Sequence, residues 1–429
     1  MSIFRNKYII PLLLIFVMIS GIKQWFVMLE IPLELIWAVE AIIIWIFAKS
    51  FLSGYRTEYK RVRLYILWVL VSAVYGIFMS EGYWDYKSLI SFTLFYLLPL
   101  SVDFFSSPER VRKCLKYMIV AMPIVFIIFA PLSYKEGISR IFYPIALLVL
   151  FYPRLEAPNR IYLFIVMVLF LVFGEIGSRA SIIRIFAAFL LGLFFFLSRK
   201  HPHRNWVPRL TVFFYLLPII LFCFGTFGSF NIFATMESSY GGDYYIKDEV
   251  YEDYEADIAG DTRTFIYREV MTSAVTHEYV IQGHSLARGY ESEHFGELTD
   301  NISKARGERP SCEVGIMNVF THMGLIGVIL YTILFVFASV TAIRKSKSNM
   351  MRVLGCWLAF RWALAWIEEF SYFDINNILI WMAVGMCLSP QFHRMNDKEA
   401  FAFIDSCFLR ISFRSGNTNR RFRSLNNGF

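Results

Sequence analysis

"LTVFFYLLPIILFCFGTFGS", residues 210–229, runs for twenty residues without a charged side chain. At about 1.5 Å per residue a helix of that length spans about 30 Å, the thickness of a bilayer's hydrocarbon core. The stretch is not unusual in this chain. Of the 429 residues, 57% are hydrophobic and 18% aromatic, and the apolar residues gather in long runs instead of alternating along amphipathic faces. A chain crossing lipid must satisfy its backbone hydrogen bonds internally, which helices do. The predicted fold class is therefore an all-α polytopic membrane protein.

Working outward from 210–229, we place about twelve transmembrane helices. They are 8–22, 31–48, 64–80, 88–105, 115–132, 138–152, 161–175, 180–197, 210–229, 313–341, 353–367 and 374–390. The first follows Arg5 and Lys7 and reads as an uncleaved helix, because no small-residue cleavage site follows it. The connections alternate in charge. One set is basic and includes Lys60, Arg61 and Arg63, then Arg110, Arg112, Lys113 and Lys116, and later Arg344, Lys345, Lys347 and Arg352. The other set is poor in Lys and Arg or acidic. The positive-inside rule puts the basic set, and with it both termini, in the cytoplasm. The domain plan is 1–229 for spans one to nine, 230–312 for one large extracytoplasmic loop between spans nine and ten, 313–390 for spans ten to twelve, and 391–429 for a basic cytoplasmic tail.

The loop 230–312 carries sixteen acidic and seven basic residues, a net charge of −9, against +8 for the whole chain. The excess of positive charge thus lies on the other side, where it orients the protein against anionic lipid. Nucleic acid is not an expected partner. Within the loop, "DTRTFIYREVMTSAVTHEYV" (261–280) predicts a helix with Asp261 as its cap and Ile266, Val270 and Ala274 as an apolar stripe, closed by "QGHS" at Gly283. The six cysteines show no paired spacing for zinc or a disulfide framework, and no Walker loop or dinucleotide fingerprint appears.

Several charged residues sit where lipid would make them costly, since an arginine at a helix centre costs roughly 2.5–3.5 kcal/mol on insertion. Arg179 is placed at the outer mouth of the eighth span, and Arg184 lies about 7.5 Å deeper. Arg179 either snorkels to headgroups or binds an anionic group such as a diphosphate, whose oxygens suit planar bidentate donors. Arg184 either joins it or pairs with an embedded acid, Glu40 or Glu175. Arg263 falls in the first turn of the loop helix, where a cation opposes the macrodipole. A bound anion would resolve that mismatch, and so would an ion pair with Asp257 or Asp261. In "PSCEVGIMNVFTHMGLIG" (310–327), Glu313 stands at the membrane surface, while Asn318 and His322 share a face inside the span. Glu313 and His322 are rival general bases, Glu313 being better placed and His322 equally readable as a packing residue. His284 reads as loop structure or as a substrate contact. Glu368, Glu369 and Asp374 read most simply as a solvated outer loop.

The twelve-span layout, "GSRAS" (177–181) opening a late helix, "DTRTFIYREV" and "VIQGHS" in a large late loop, and "GLIG" (324–327) in the next span resemble the O-antigen polymerase and O-antigen ligase superfamily. The resemblance covers about 170–330. It implies a metal- and cofactor-independent glycosyltransferase acting on undecaprenyl-diphosphate-linked glycans at the outer face of the bacterial inner membrane. The family's two arginines would be Arg179 and Arg263. Where the ligase branch carries a His-Asn pair, this chain has Glu313-Val314, which favours the polymerase branch. The implied catalytic set is Glu313, Arg179 and Arg263, with Arg179, Arg263, Arg184, His284 and His322 toward the diphosphate or substrate. The expected partners are the lipid-linked oligosaccharide, membrane lipid, a chain-length regulator and a flippase. Ligation to a lipid A core or protein acceptor, flipping of the lipid-linked glycan, and simple sugar binding by the loop are the alternatives.

Overall fold

The structure is a computed structural model. It describes residues 8–22, 31–54, 59–174, 179–197, 203–226, 245–247, 255–257, 264–293, 306–369 and 371–409. In chain order its helices begin with α1 (Ile9–Ser20), α2 (Leu33–Ser53), α3 (Lys60–Met79), α4 (Tyr83–Tyr96), α5 (Ser101–Phe104) and α6 (Pro108–Phe129). Next come α7 (Lys135–Ile141), α8 (Ile145–Leu148), α9 (Ala157–Phe173), α10 (Arg179–Leu197) and α11 (His203–Thr226). The strands β1 (Tyr245–Lys247) and β2 (Glu255–Asp257) pair antiparallel ahead of α12 (Thr264–Thr276). A second antiparallel pair, β3 (Tyr290–Glu291) and β4 (Glu308–Arg309), leads into α13 (Gly315–Lys345), α14 (Asn349–Leu364) and α15 (Ile375–Leu388). The short α16 (Pro390–Arg394) and α17 (Asp397–Asp405) close the described chain.

Among the described residues, six helical segments are long and apolar enough to cross a membrane: Leu33–Ser53, Lys60–Met79, Tyr83–Phe104, Pro108–Leu132, Trp206–Phe224 and Gly315–Lys345. The protein is a helical membrane protein. The other expected spans are shorter. The expected span 138–152 is not one helix. It is broken into α7, α8 and a 3-10 stretch, Val149–Arg154, with Pro144 and Pro153 withholding backbone donors. Residues 145–151 are buried throughout. Broken helix at membrane depth is tolerated where protein, not lipid, surrounds it.

Two helices form the interior. Every residue of α15 is buried, and α14 is buried along most of its length. Around them, α13 packs on α3, α14 and α15, α11 on α14, and α10 on the Val149–Arg154 stretch, while α1 lies against α6. An amphipathic stripe was not needed to find these helices and does not describe them, because interior helices are apolar all round.

The loop helix forms with Ile266, Val270 and Ala274 buried as its core stripe. It ends at Thr276, seven residues before Gly283. Glu278 takes a left-handed φ of 55°, the Tyr279 amide donates to the Ala274 carbonyl at 3.0 Å, and the Glu278 amide donates to Val275. That is a Schellman end with a glutamate where glycine is usual, which is why glycine-seeking misplaced the stop.

The loop then locks into α13. Gly324 has φ 65° and ψ −168°, which breaks the helix and frees amides beyond it. Leu325 and Ile326 donate instead to the carbonyls of Val280 (2.9 Å) and Ile281 (3.3 Å), and His284 donates its amide to Thr321 at 2.7 Å. A Cβ on Gly324 would meet the Ile281 oxygen at 2.2 Å, and one on Gly283 would meet backbone atoms of residues 322–324 within 2.6 Å. "QGHS" and "HMGLIG" are therefore the two halves of one backbone-to-backbone joint. The exposed face of α13 starts after it. Gly315 to Gly324 are all buried, whereas Leu325, Ile329 and Ile333 form an exposed stripe. Gly315–Lys345 as a whole is long and apolar enough to cross a membrane, and His322 lies in its buried first part.

Candidate functional site

Polar side chains converge where the loop meets the bundle, around the turn that joins α14 to α15. Two backbone bonds hold this turn to the start of α13: Gly315 donates to the Glu368 carbonyl and Ile316 to the Ala365 carbonyl, each at 2.9 Å. The orphan donors of one helix start thus satisfy acceptors at another helix end. Asn318 adds side-chain bonds, donating to the Cys312 carbonyl (2.8 Å) and the Ser371 hydroxyl (2.6 Å) while its oxygen accepts from the Cys312 amide at 2.8 Å. Its hydrogen-bonding capacity is largely spent on holding this junction.

The junction sets Glu313 beside Glu369. Glu313 is half exposed and accepts a charged hydrogen bond from Arg309, whose other terminal nitrogen lies 3.3 Å from the Tyr290 hydroxyl. Burial pushes the Glu369 carboxyl up to about 8, helped by the Glu313 carboxylate and opposed by Arg140. Tyr372 shares a hydrogen bond with Glu369, and its phenol is held well above the ordinary range by that carboxylate and by burial. Two carboxyl groups that repel each other in a partly buried site do not both ionise readily. At neutral pH Glu369 holds its proton.

Deeper, Arg184 from α10 pairs with Glu368, and Glu368 also accepts from Arg361 of α14 at 3.2 Å. Arg361 donates to Asn376 at 3.1 Å. Arg184 lies over the Tyr143 ring at 4.5 Å, so the broken α7–α8 segment forms one wall. All three ion-pair partners are at most 4% exposed at their side chains, and among the described residues the Nε and Nη1 atoms of Arg184 have no hydrogen-bond partner. Arg140 of α7 acts on Glu369, Tyr372 and Asp374. Asp374 caps α15 by accepting from the Asn377 amide at 2.8 Å. With Glu369 protonated, the described charges of the cluster are the guanidiniums of Arg140, Arg184, Arg309 and Arg361 and the carboxylates of Glu313, Glu368 and Asp374. Among the described residues the excess is positive, in surroundings that screen charge poorly.

The predicted site residues fare differently. Arg184 is in the cluster, paired to Glu368 instead of the expected Glu40. Glu175 lies outside the described residues. Glu313 lies where the loop joins α13, its side chain 46% exposed. Arg179 is the first residue of α10, but its side chain, like the whole of Arg263, Asp257 and Asp261 as capping or pairing partners, is outside what the structure describes, Asp257 being placed only as the end of β2. His322 is completely buried. Its Nε2 lies 3.1 Å from the Pro310 carbonyl and its Nδ1 lies 3.0 Å from the Tyr96 hydroxyl. The carbonyl can only accept, so Nε2 carries the hydrogen and Nδ1 accepts from Tyr96. No lone pair is left for a base. His284 likewise donates from Nδ1 to the Gly289 carbonyl at 2.6 Å and stacks on Tyr279 at 4.5 Å. Burial lowers its pKa from 6.5, so the ring is neutral, with Nε2 left as an acceptor.

The turn 368–374, expected to be a solvated loop, is instead the centre of the cluster, with Glu368 3% exposed. Arg361, Arg140 and Arg309 were not singled out from the sequence. A signal for Arg361 was present: an arginine inside the apolar run 353–367 followed at once by Glu368-Glu369 is a pattern that pairing would explain.

No protein-family model and no curated protein matches this chain. The functional reading therefore rests on the residues and their geometry.

Proposed function

We propose that this chain is a membrane glycosyltransferase that polymerises undecaprenyl-diphosphate-linked oligosaccharide repeat units of a surface polysaccharide. The observation that carries the reading is the net-positive cluster beside a pair of coupled carboxyl groups, at the junction of the late loop with α10, α13 and the α14–α15 turn. In this reading the loop face is periplasmic, the membrane is the bacterial inner membrane and both termini are cytoplasmic.

The chemistry divides between the two halves of the cluster. A hydroxyl oxygen of the acceptor glycan attacks the anomeric carbon of the donor. The bond from that carbon to the diphosphate oxygen breaks, and the electron pair leaves with the lipid diphosphate. The hydroxyl proton passes to Glu313, which is exposed enough to meet the acceptor and is oriented by Arg309. General-base assistance of this kind contributes about 10²–10⁴ in rate. Negative charge grows on the departing diphosphate, where preorganised cations act most strongly. Arg140, Arg184 and Arg361 supply that field, and Arg179 and Arg263 complete it in this reading. The proton on Glu369 keeps a fourth carboxylate from cancelling it. The donor brings its own leaving group, so the step draws on no nucleotide or metal.

The test is reconstitution of the full chain with a defined undecaprenyl-diphosphate-linked repeat unit. A ladder of products differing by one repeat supports the proposal, and Glu313→Gln should slow it by about 10²–10⁴. Transfer of a single unit onto a lipid A core without a ladder would make it a ligase, and movement across the bilayer without new glycosidic bonds would make it a flippase. Either result overturns the proposal.

A further inference from the structure

A second polar site lies away from this cluster, among the ends of α1, α6 and α17. A cavity of about 740 Å³ opens there between α1 and α6, with Ser406 and Phe408 at its end. Its wall on α6 has a particular order. Arg112, Lys116, Val120 and Ile124 all line it at four-residue spacing, so they form one ladder along the helix. The first two rungs are cations and the last two are apolar. The ladder is about 18 Å long. On the facing helix the order repeats, since Tyr8 sits level with Tyr117, their rings 6.1 Å apart, and Ile15 lies seven residues farther on, as Ile124 does from Tyr117. The tyrosines thus mark the level at which polar wall gives way to apolar wall, as aromatic side chains do at a membrane interface.

The two cations are available. Among the described residues Arg112 and Lys116 make no hydrogen bond or ion pair, and both are exposed. The nearby acids are engaged: Glu109 pairs with Lys113, and Asp405 accepts from Asn159 at 2.6 Å and from the Glu156 amide at 3.0 Å. Beyond Ile124, which is 52% exposed, Ile127 and Ile128 are also exposed, so the apolar end of the groove runs into a lipid-facing surface.

We propose that this groove binds one anionic glycerophospholipid, its phosphate between Arg112 and Lys116 and an acyl chain along Val120, Ile124 and Ile15. Charge decides for an anionic headgroup over a zwitterionic one: among the described residues the two cations at the polar end make no ion pair, the hydrogen bonds of Asp405 going to Asn159 and the Glu156 amide, and a zwitterion brings its own cation. Shape decides for a lipid over a soluble phosphate, because about half of the ladder is apolar and opens toward hydrocarbon. The bound lipid would bridge α1 to α6 and would hold α17, whose end closes the groove. This site is independent of the glycosyltransferase reading.

Native mass spectrometry of the full chain, titrated with palmitoyl-oleoyl phosphatidylglycerol and with phosphatidylcholine of the same chains, tests the proposal. Phosphatidylglycerol should bind in one saturable step, at least about tenfold tighter than phosphatidylcholine. Each cation near an anionic headgroup contributes about fivefold, so Arg112→Gln with Lys116→Gln should weaken phosphatidylglycerol about thirtyfold and leave phosphatidylcholine unchanged. Arg344→Gln with Lys345→Gln, which removes two cations at the end of α13, should leave both affinities as they are. Should the double variant not fold, a phosphatidylglycerol with a photoactivatable acyl chain decides on the unaltered protein, by crosslinking to peptides containing Ile15 and Ile124. Equal affinity for the two lipids, no loss in the double variant, or crosslinks placed elsewhere would overturn the site.

Discussion

Replacing Gly324 with alanine tests the joint between loop and membrane helix. The backbone there has φ 65° and ψ −168°, a region in which only glycine is at ease, and holding another residue in it costs about 1–3 kcal/mol. The added Cβ would also stand 2.2 Å from the Ile281 oxygen and 2.5 Å from the Gly283 nitrogen, so the two segments must part. Parting removes the bonds from Leu325 to Val280, from Ile326 to Ile281 and from His284 to Thr321. Each is worth about 0.5–1.5 kcal/mol net. Together the effects come to about 3–7 kcal/mol, enough to undock the loop while the membrane helices stay folded. At about 1.4 kcal/mol per tenfold, exchange protection of the Leu325 and Ile326 amides should fall by at least about 10²-fold in Gly324→Ala. Hydrogen exchange read by mass spectrometry on the peptide covering 318–330 is the assay. Gly283→Ala should do the same, and the double variant should add little, because both remove one contact. Wild-type protection in Gly324→Ala would refute the joint as described.

Three further expectations concern the cluster. Glu369 binds its proton more tightly in the folded protein than in the unfolded chain, so the folded state holds the extra proton between the ordinary 4.5 and about 8, and the stability it contributes is full below that window and lost as pH rises through it. Glu369→Gln should therefore flatten the fall in thermal midpoint across that range, and under the proposed function it should abolish a rise in donor KM above about pH 8. Glu368→Gln leaves Arg184 and Arg361 without the carboxylate they both pair with, which for a broken buried pair costs about 3–5 kcal/mol. The expected outcome is a protein that accumulates poorly, measured by fluorescence-detected size exclusion, with part of the loss recovered when Arg184→Met is added. For His322, a positioning role predicts that Tyr96→Phe and His322→Gln lower the thermal midpoint but leave the pH dependence of turnover unchanged; a shifted pH profile in His322→Gln would mean the imidazole takes part in the reaction.

The long apolar runs were legible because hydrophobic length is a property of the sequence itself, and six of them stand as helices of spanning length. The loop helix was legible through its stripe at Ile266, Val270 and Ala274, while its end was not, because Glu278 takes a conformation that its side chain does not advertise. The broken segment 135–154 looked continuous because Pro144 and Pro153 interrupt hydrogen bonds without interrupting hydrophobicity. The charge cluster was half legible. Arg184 and Glu313 stood out by where they fall along the chain, but the pairing of Arg184 with Glu368 joins residues far apart in sequence, and no local pattern encodes it. Glu368 and Glu369 looked like solvated loop for the same reason: their burial is produced by α13 and α10 arriving over them. The function of His322 turned on hydrogen bonds to Tyr96 and Pro310, which only the folded arrangement supplies.

The central claim is that the positive cluster and the Glu313–Glu369 pair transfer glycan from a lipid diphosphate. The most direct measurement is single-turnover reaction of the purified chain with a radiolabelled undecaprenyl-diphosphate-linked repeat unit, resolved by chain length. Products lengthened by whole repeats, with free undecaprenyl diphosphate released in equal amount and both lost in Glu313→Gln, are the predicted result. Intact donor after reaction with well-folded protein, or unchanged turnover in Glu313→Gln, would contradict it.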